Sequence, residues 1–330
     1  MGYLGEMAPN GIQTWTATLV AEGFLSHNAP LDGLRKVSEI LDQVAADDQW
    51  ACAQTDHGTC AGHPSFARQA EKMGIKPILG MEGYLGDGSR FERLEPKGKA
   101  ADFATRADYD IAMSVHEKTK ARVKDYHHLV LWAQTQEGLQ TLWALSTEAY
   151  RDGNYYGHAR FDCDSLERHS SGLMVSTACL RGPLSREIIA GDEAGAKEQL
   201  ARLLNIFGDR LYLELHTNQL KDQIALNKGL VSLGQEFGVP IIAVVDSHYP
   251  TAGHHEAHQA WIACQTSGNV DDDTDLFSVN LDLYVQTEAE VRANLSYLAP
   301  QVVDEAVDNT TLVAGPCTSR VPGSVTPPAL

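Results

Sequence analysis

Apolar runs of strand length recur along this chain with helical patterns between them, and that rhythm limits the fold more than any other feature. The runs are WACAQT (50–55), KPILGM (76–81), HLVLWA (128–133), GLMVST (172–177), LYLEL (211–215) and VPIIAVV (239–245). The helical patterns are LRKVSEILDQVA (34–45), HPSFARQAEKMG (63–74), GLQTLWALSTEAYR (138–151), AKEQLARLLNIFG (196–208) and IALNKGLVSLGQEFG (224–238). Several of these close on glycine, the residue that most readily takes the left-handed stop conformation. Strands alternating with helices build βαβ units and a mostly parallel sheet or barrel. At 330 residues the chain can bury one large core, or one core and a small appended unit.

Two segments break the rhythm. Residues 86–126 are charged and contain glycine, and read as a long insertion with one short helix. The tail, 315–330, is rich in Pro, Gly and Ser and reads as a linker. The acidic run VDDDTD (270–275) reads as a solvated loop, because it lacks the later spacing and terminal Glu of a calcium loop.

In an α/β barrel the carboxyl ends of the strands converge on one face. Here WACAQT runs into Asp56, His57 and Gly58, and KPILGM into Glu82. His127 and His128 open the strand that begins at Tyr126. GLMVST leads to Cys179, and VPIIAVV to Asp246, Ser247 and His248. Asp246 and His248 are two apart, so an extended backbone points both side chains the same way. A single His or Cys at a strand end is usually packing, and Asp or Ser there is usually a turn residue. Five strands each delivering a metal-competent residue is a different observation, and it predicts a metal site. Imidazole, carboxylate and one thiolate suit Zn²⁺, Mn²⁺ or Fe²⁺ better than an all-oxygen Mg²⁺ site.

The charge narrows the partners only a little. With 26 Lys and Arg against 44 Asp and Glu, the net charge is -18, which argues against a basic nucleic-acid coat protein. An enzyme working on nucleic-acid ends stays open, since bound metal ions would supply positive charge locally. The six cysteines form no CxxC pair and read as buried thiols or isolated ligands. There is no apolar stretch of the roughly 18 residues a membrane span needs, and MGYLGEMAPNGIQTW does not read as a secretory signal. The expectation is a cytoplasmic protein with no membrane partner.

TDHG (55–58) and GIKPILGMEGYL (74–85) resemble the PHP (polymerase and histidinol phosphatase) domain, in the form found at the front of bacterial DNA polymerase III alpha subunits (DnaE-like). The resemblance continues through HHLVLWAQTQEGLQTL (127–142), YYGHARFD (155–162), SSGLMVSTACLRG (170–182) and LYLELH (211–216). It extends through VPIIAVVDSHY (239–249), AHQAWIACQTSGNVDD (257–272) and LFSVNLDLYV (276–285). It implies an N-terminal extension (1–13), a PHP domain (14–314) and a tail (315–330) leading toward a polymerase body.

The resemblance also implies a distorted (β/α)7, TIM-like barrel with its metal site at the carboxyl ends of the strands, built from nine ligands for two or three divalent ions. Seven positions match: Asp32, His57, Glu82, His128, Cys179, Asp246 and His248. His128 is preferred over His127 because the family places its ligand immediately before the apolar run. Asp56, His127 and His27 are accessory candidates. The family's opening pair of histidines does not match: in QTWTATL (13–19) the alternating places hold Thr14, Thr16 and Thr18. Threonine is a poor ligand, because its hydroxyl stays protonated near neutral pH.

Three readings follow from the resemblance. The first is a metal-dependent phosphoesterase, a 3′–5′ exonuclease that proofreads single-stranded DNA 3′ ends, with Glu82, Asp246 and His248 acting through metal-activated water. The second is a degenerate PHP domain with fewer metals, a non-catalytic module for the polymerase body or other replisome subunits. The third is a small-molecule phosphatase, for which the segments after residue 250 would be superfluous. Nothing in the chain replaces the catalytic aspartates of a polymerase palm, so no polymerase activity is expected of it alone.

Overall fold

The computed structural model describes residues 16–17, 36–94, 98–266 and 282–322. Asp32, His27, Thr14, Thr18 and the acidic run 270–275 lie outside the described residues, and Thr16 is described in its backbone only.

The strands are β1 (Thr16–Ala17), β2 (Ala51–Gln54), β3 (Lys76–Gly86), β4 (Tyr126–Ala133), β5 (Asn154–Tyr155), β6 (His158–Phe161), β7 (Leu173–Ser176), β8 (Leu211–His216), β9 (Ile241–Val244) and β10 (Asp246–Ser247). Their hydrogen-bonded order is β10-β1-β2-β3-β4-β7-β8-β9, with β6 pairing onto β3 and β5 onto β6. Only Val245 separates β9 from β10, so 241–247 is one extended segment. Its first half pairs with β8 and its second with β1. The sheet therefore closes on itself as a barrel of seven staves. Six of them run parallel, and β4 lies antiparallel between β3 and β7. This is the distorted TIM-like barrel that the family resemblance implies, within the parallel sheet or barrel that the strand and helix rhythm predicts.

The two faces of each strand bury different things, as a period of two requires. Ala51, Ala53, Ile78, Val130, Trp132, Met174, Tyr212, Ile242 and Val244 form the inner core. Cys52, Leu79, Leu129, Leu131, Leu173, Val175, Leu211, Leu213, Leu215, Ile241 and Ala243 face outward into the layer of helices. Those helices include His63–Lys72, Gln136–Glu148, Glu193–Phe207 and Lys221–Phe237, close to the spans that the apolar periodicity predicts. At one end the barrel is stoppered from below. Val313, Ala314 and Cys317 join the inner core, and the Lys76 ammonium donates to the Ala314 carbonyl at 2.6 Å.

The insertion differs from expectation. Its helix spans Arg106–Lys124, 19 residues, and no side chain described along it, Arg106 to Lys120, is buried. A helix with no buried stripe has no apolar period to read, so its length was hidden. β3 also runs five residues beyond the expected KPILGM, because its antiparallel ladder with β4 continues to Gly86↔Tyr126. The start of the insertion is tied down by Arg90, whose guanidinium donates to Asp162 Oδ1 at 2.9 Å and lies 3.1 Å from Glu148 Oε1.

His63 is buried beneath the barrel wall in one tautomer. Its Nε2–H donates to the Gly80 carbonyl (2.8 Å), and its Nδ1 accepts from the Trp143 indole N–H (3.3 Å). Burial pushes its pKa down from 6.5 to about 4, with the Gly80 bond opposing. The unfolded chain takes up this proton near pH 6.5 and the folded chain only near pH 4. The stability from neutral His63 is therefore complete above pH 6.5 and lost as the pH falls toward 4, by about 3 kcal/mol at most. Urea midpoints measured from pH 7 to 4 should fall less steeply for His63→Gln than for wild type. Equal slopes would refute this account.

Candidate metal centre at the barrel mouth

The parity that fills the barrel with apolar side chains also delivers the polar ones. Glu82 shares the inward face with Ile78, His128 with Val130 and Trp132, Ser176 with Met174, and Glu214 and His216 with Tyr212. Asp246 follows Ile242 and Val244. Because β4 is antiparallel, its first residues reach the same barrel end as the last residues of the parallel strands. His128 thus meets Glu82 although one stands early in its strand and the other late.

His57, Glu82 and His128 each offer one ligand atom, and all three atoms lie within 4.8 Å of one another. His128 Nδ1 abuts Glu82 Oε1, and His57 Nδ1 lies 3.8 Å from Glu82 Oε2. The backbone sets this up: His57 bridges in parallel to Glu82, and the Gly58 N–H donates to the Glu82 carbonyl at 2.8 Å. Cys179 Sγ lies 3.5 Å from His128 Nδ1. Its loop is tightly wound. Ala178 holds φ +54, the Gly182 N–H donates to the Cys179 carbonyl (2.8 Å), and a Cβ on Gly182 would sit 1.9 Å from the Thr177 carbonyl oxygen. A left-handed alanine is local strain of the kind that the surrounding structure must over-determine.

Asp246 and His248 share one edge of the mouth. His248 Nδ1 lies 3.7 Å from Asp246 Oδ1 and 3.0 Å from the Asp246 carbonyl oxygen. A carbonyl only accepts, so Nδ1 carries the proton and Nε2 keeps the lone pair, the arrangement a metal-binding histidine needs. β1 brings Thr16 into register with Asp246 on one side and Ala53 on the other.

Two expected accessories stand apart from the cluster. His127 Nε2 pairs with Asp87 Oδ1 at 2.6 Å and also meets Arg186. Asp56 accepts from the Gln54 amide at 3.1 Å. His127 is one residue from His128, so strand parity sends it to the opposite face. Residues that sequence reasoning missed are Glu214, His216, Ser176 and His258. Glu214 is fully buried, receives the Ser176 hydroxyl, and pairs with His216 Nε2 at 2.9 Å. The signal was a Glu and a His two apart in an otherwise apolar strand. The His258 ring, 5.7 Å from that of His248, comes from helix His255–Thr266.

The electrostatics favour a cation. Burial, then the charges of Glu82 and Asp246, push the Cys179 thiol well above its usual range, with the Arg181 N–H opposing. Burial works against protonated His216, but the hydrogen bond and charge of Glu214, with Asp246 and Glu82 beyond, outweigh it and raise its pKa. A divalent ion would reverse the penalty on the thiol, since a coordinating metal deprotonates it outright. Two imidazoles, a carboxylate and an adjacent thiol form a donor set that fits such an ion.

With this geometry in view, comparisons with known proteins become informative. The PHP domain family model matches residues 26–218. DNA polymerase III subunit alpha of Borreliella burgdorferi is 30% identical over 301 residues, 90% of this chain and 24% of that protein. The subunit of Aquifex aeolicus is 34% identical over 235 residues, 71% and 18% of the two chains. That of Thermus aquaticus is 31% identical over 294 residues, 88% and 22%. The chain thus spans less than a quarter of the length of these relatives. No helix among the described residues is long and apolar enough to cross a membrane.

Metal binding at this mouth should register as thermal stabilisation. Mn²⁺ or Zn²⁺ at about 100 times its Kd should stabilise wild type by about 2.7 kcal/mol. Glu82→Gln should bind fewer ions per chain by elemental analysis and lose most of the melting shift. A full shift in Glu82→Gln would place the ion elsewhere.

Proposed function

Because the chain belongs to the PHP domain family, we propose that its barrel mouth is a metal-dependent phosphoesterase site that shortens single-stranded DNA from the 3′ end. In this reading the chain is the PHP portion of a DnaE-like polymerase alpha subunit, working in the cytoplasm beside a polymerase body and other replisome subunits. The observation that carries it is the convergence of His57, Glu82 and His128 within 4.8 Å, at the barrel end opposite the Val313–Cys317 stopper.

The residues that would hold two or three ions are His57, Glu82, His128, Cys179, Asp246 and His248; Asp32, which the resemblance adds to this set, lies outside the described residues. Zn²⁺, Mn²⁺ or Fe²⁺ bound there would supply activated water near neutral pH and neutralise charge on the phosphate oxygens. The protein's own contribution is orientation. Asp246 fixes the tautomer of His248 through its carbonyl, and Glu82 holds two imidazoles against one carboxylate. Among the described residues of the mouth none reads as a separate protein nucleophile, since the Cys179 thiol is pressed toward its neutral form and stands in the ligand cluster.

One observation favours a second reading, a metal-binding module without cleavage. Thr16 stands in register beside Asp246, where the family resemblance calls for histidine.

A 5′-labelled single strand incubated with Mn²⁺ or Zn²⁺ separates the two. Wild type should trim it from the 3′ end, and Asp246→Asn should slow trimming by about 100-fold or more, the scale of losing one charge-stabilising group. Bound metal with no trimming would establish the module instead. Turnover of histidinol phosphate with none of DNA would establish a small-molecule phosphatase.

A further inference from the structure

Beside the metal centre a short stair of stacked groups leads out of the mouth. The Tyr126 ring lies 5.9 Å from that of His128 at an interplanar angle of 6°. The Arg181 guanidinium sits over the Tyr126 ring, 4.8 Å from its centroid. Tyr84 and His158 brace Tyr126 from its sides, at 4.8 Å and 4.4 Å, and the Tyr126 hydroxyl meets His158 Nε2 at 3.3 Å.

Arg181 is anchored by its backbone and exposed at its head. Its carbonyl accepts the His128 N–H at 2.9 Å, and its own N–H bonds to the Cys179 thiol. Its position is therefore set by two residues of the metal cluster. Among the described residues no carboxylate pairs with its guanidinium. Arg186, five residues on, shows the contrast: it is taken up by Asp87 at 3.4 Å and Asp125 at 3.1 Å. In a chain with 44 acidic and 26 basic residues, an exposed arginine left without an acid beside an acidic mouth is unusual. Its positive field reaches His158, where burial first, and then Arg181, His128 and His57, lower the pKa.

We propose that Arg181, held over the Tyr126 ring, binds a second phosphate of the DNA strand, the one on the 5′ side of the phosphodiester at the metal centre. This rests on the exonuclease reading above. A guanidinium fixed over a ring keeps its edge free for bidentate contact with phosphate oxygens. Tyr126 is a positioning residue that acts through Arg181. Together they make the site prefer a polynucleotide over a lone phosphate ester, and a net negative protein gains one cation where the strand must enter.

The test compares two substrates in wild type, Arg181→Ala, Arg181→Lys and Tyr126→Ala. One is a labelled single strand; the other is the p-nitrophenyl ester of thymidine 5′-monophosphate, which has no second phosphate. Arg181→Ala should lower kcat/KM on the strand by about 10- to 100-fold, the worth of a charged hydrogen-bonded contact, and leave the ester within about twofold. Arg181→Lys should recover part of the loss. Adding Tyr126→Ala to Arg181→Ala should cost little more than either alone, as coupled residues do. Strand affinity with metal present should show a salt slope shallower by about 0.7 in Arg181→Ala. Equal losses on both substrates, or no loss on the strand, would overturn the subsite. A wild type that cleaves the ester and never the strand would overturn the exonuclease reading and this inference with it. Should neither be cleaved, an unchanged strand affinity and salt slope in Arg181→Ala would overturn the subsite alone.

Discussion

The closure of the sheet through the single extended segment 241–247 is the constraint on which the other features rest. Once that segment pairs with β8 at one half and β1 at the other, every stave has a fixed inside and outside. A register slip of one residue would turn Tyr212 and Trp132 out of the core, and Glu82 and His128 out of the mouth, together. The apolar interior and the polar site are thus one alternation at two heights of the barrel. The lower positions of the alternation hold Ala, Ile, Val, Met, Trp and Tyr, and the upper ones His, Glu, Asp and Ser. Val313, Ala314 and Cys317 stopper the lower end, at the opposite end of the interior from these polar residues.

The antiparallel β4 is what allows His128 to take part. In a barrel of wholly parallel staves, a histidine at the start of a strand would sit at the closed end. Reversing one stave puts its first residues at the open end, directly across the ladder from the far half of β3, where Tyr84 faces His128. The same reversal places Tyr126 one alternation further out than His128, on the same face. One strand therefore supplies His128 to the cluster and Tyr126 to the aromatic stair outside it, at positions two residues apart.

Much of this was legible in the chain, and the exceptions have physical reasons. Runs such as VPIIAVV and LYLEL are too apolar and too short to be anything but buried strands, and the spacing of Asp246 and His248 put both on one face. The direction of β4 was not legible, because an apolar run reads the same forwards and backwards. Glu214 and His216 were passed over because a strand buried on both faces shows no alternation of polarity, so its two polar residues read as exceptions. The helix Arg106–Lys124 reads as shorter for the opposite reason: none of its described side chains is fully buried, and the period that reveals most helices comes from burial. The choice of His128 over His127 rested on resemblance, and strand parity supplies its cause.

Glu214 and His216 bear on why the mouth keeps its charges. A buried carboxylate is costly unless paired, and this barrel end holds Glu82 and Glu214 in the interior with Asp246 at its edge. Glu214 is settled by the Ser176 hydroxyl and by His216, whose pKa it raises. Glu82 is met by the imidazoles of His57 and His128. In a barrel that served only as a scaffold, an apolar side chain at position 82 would fit the interior at least as well. A cation completing the cluster would offset the cost of burying this carboxylate, and ion binding would then be linked to the folded state of the mouth. That linkage would hold whether or not the site cleaves DNA, so the donor set bears on metal binding before it bears on catalysis.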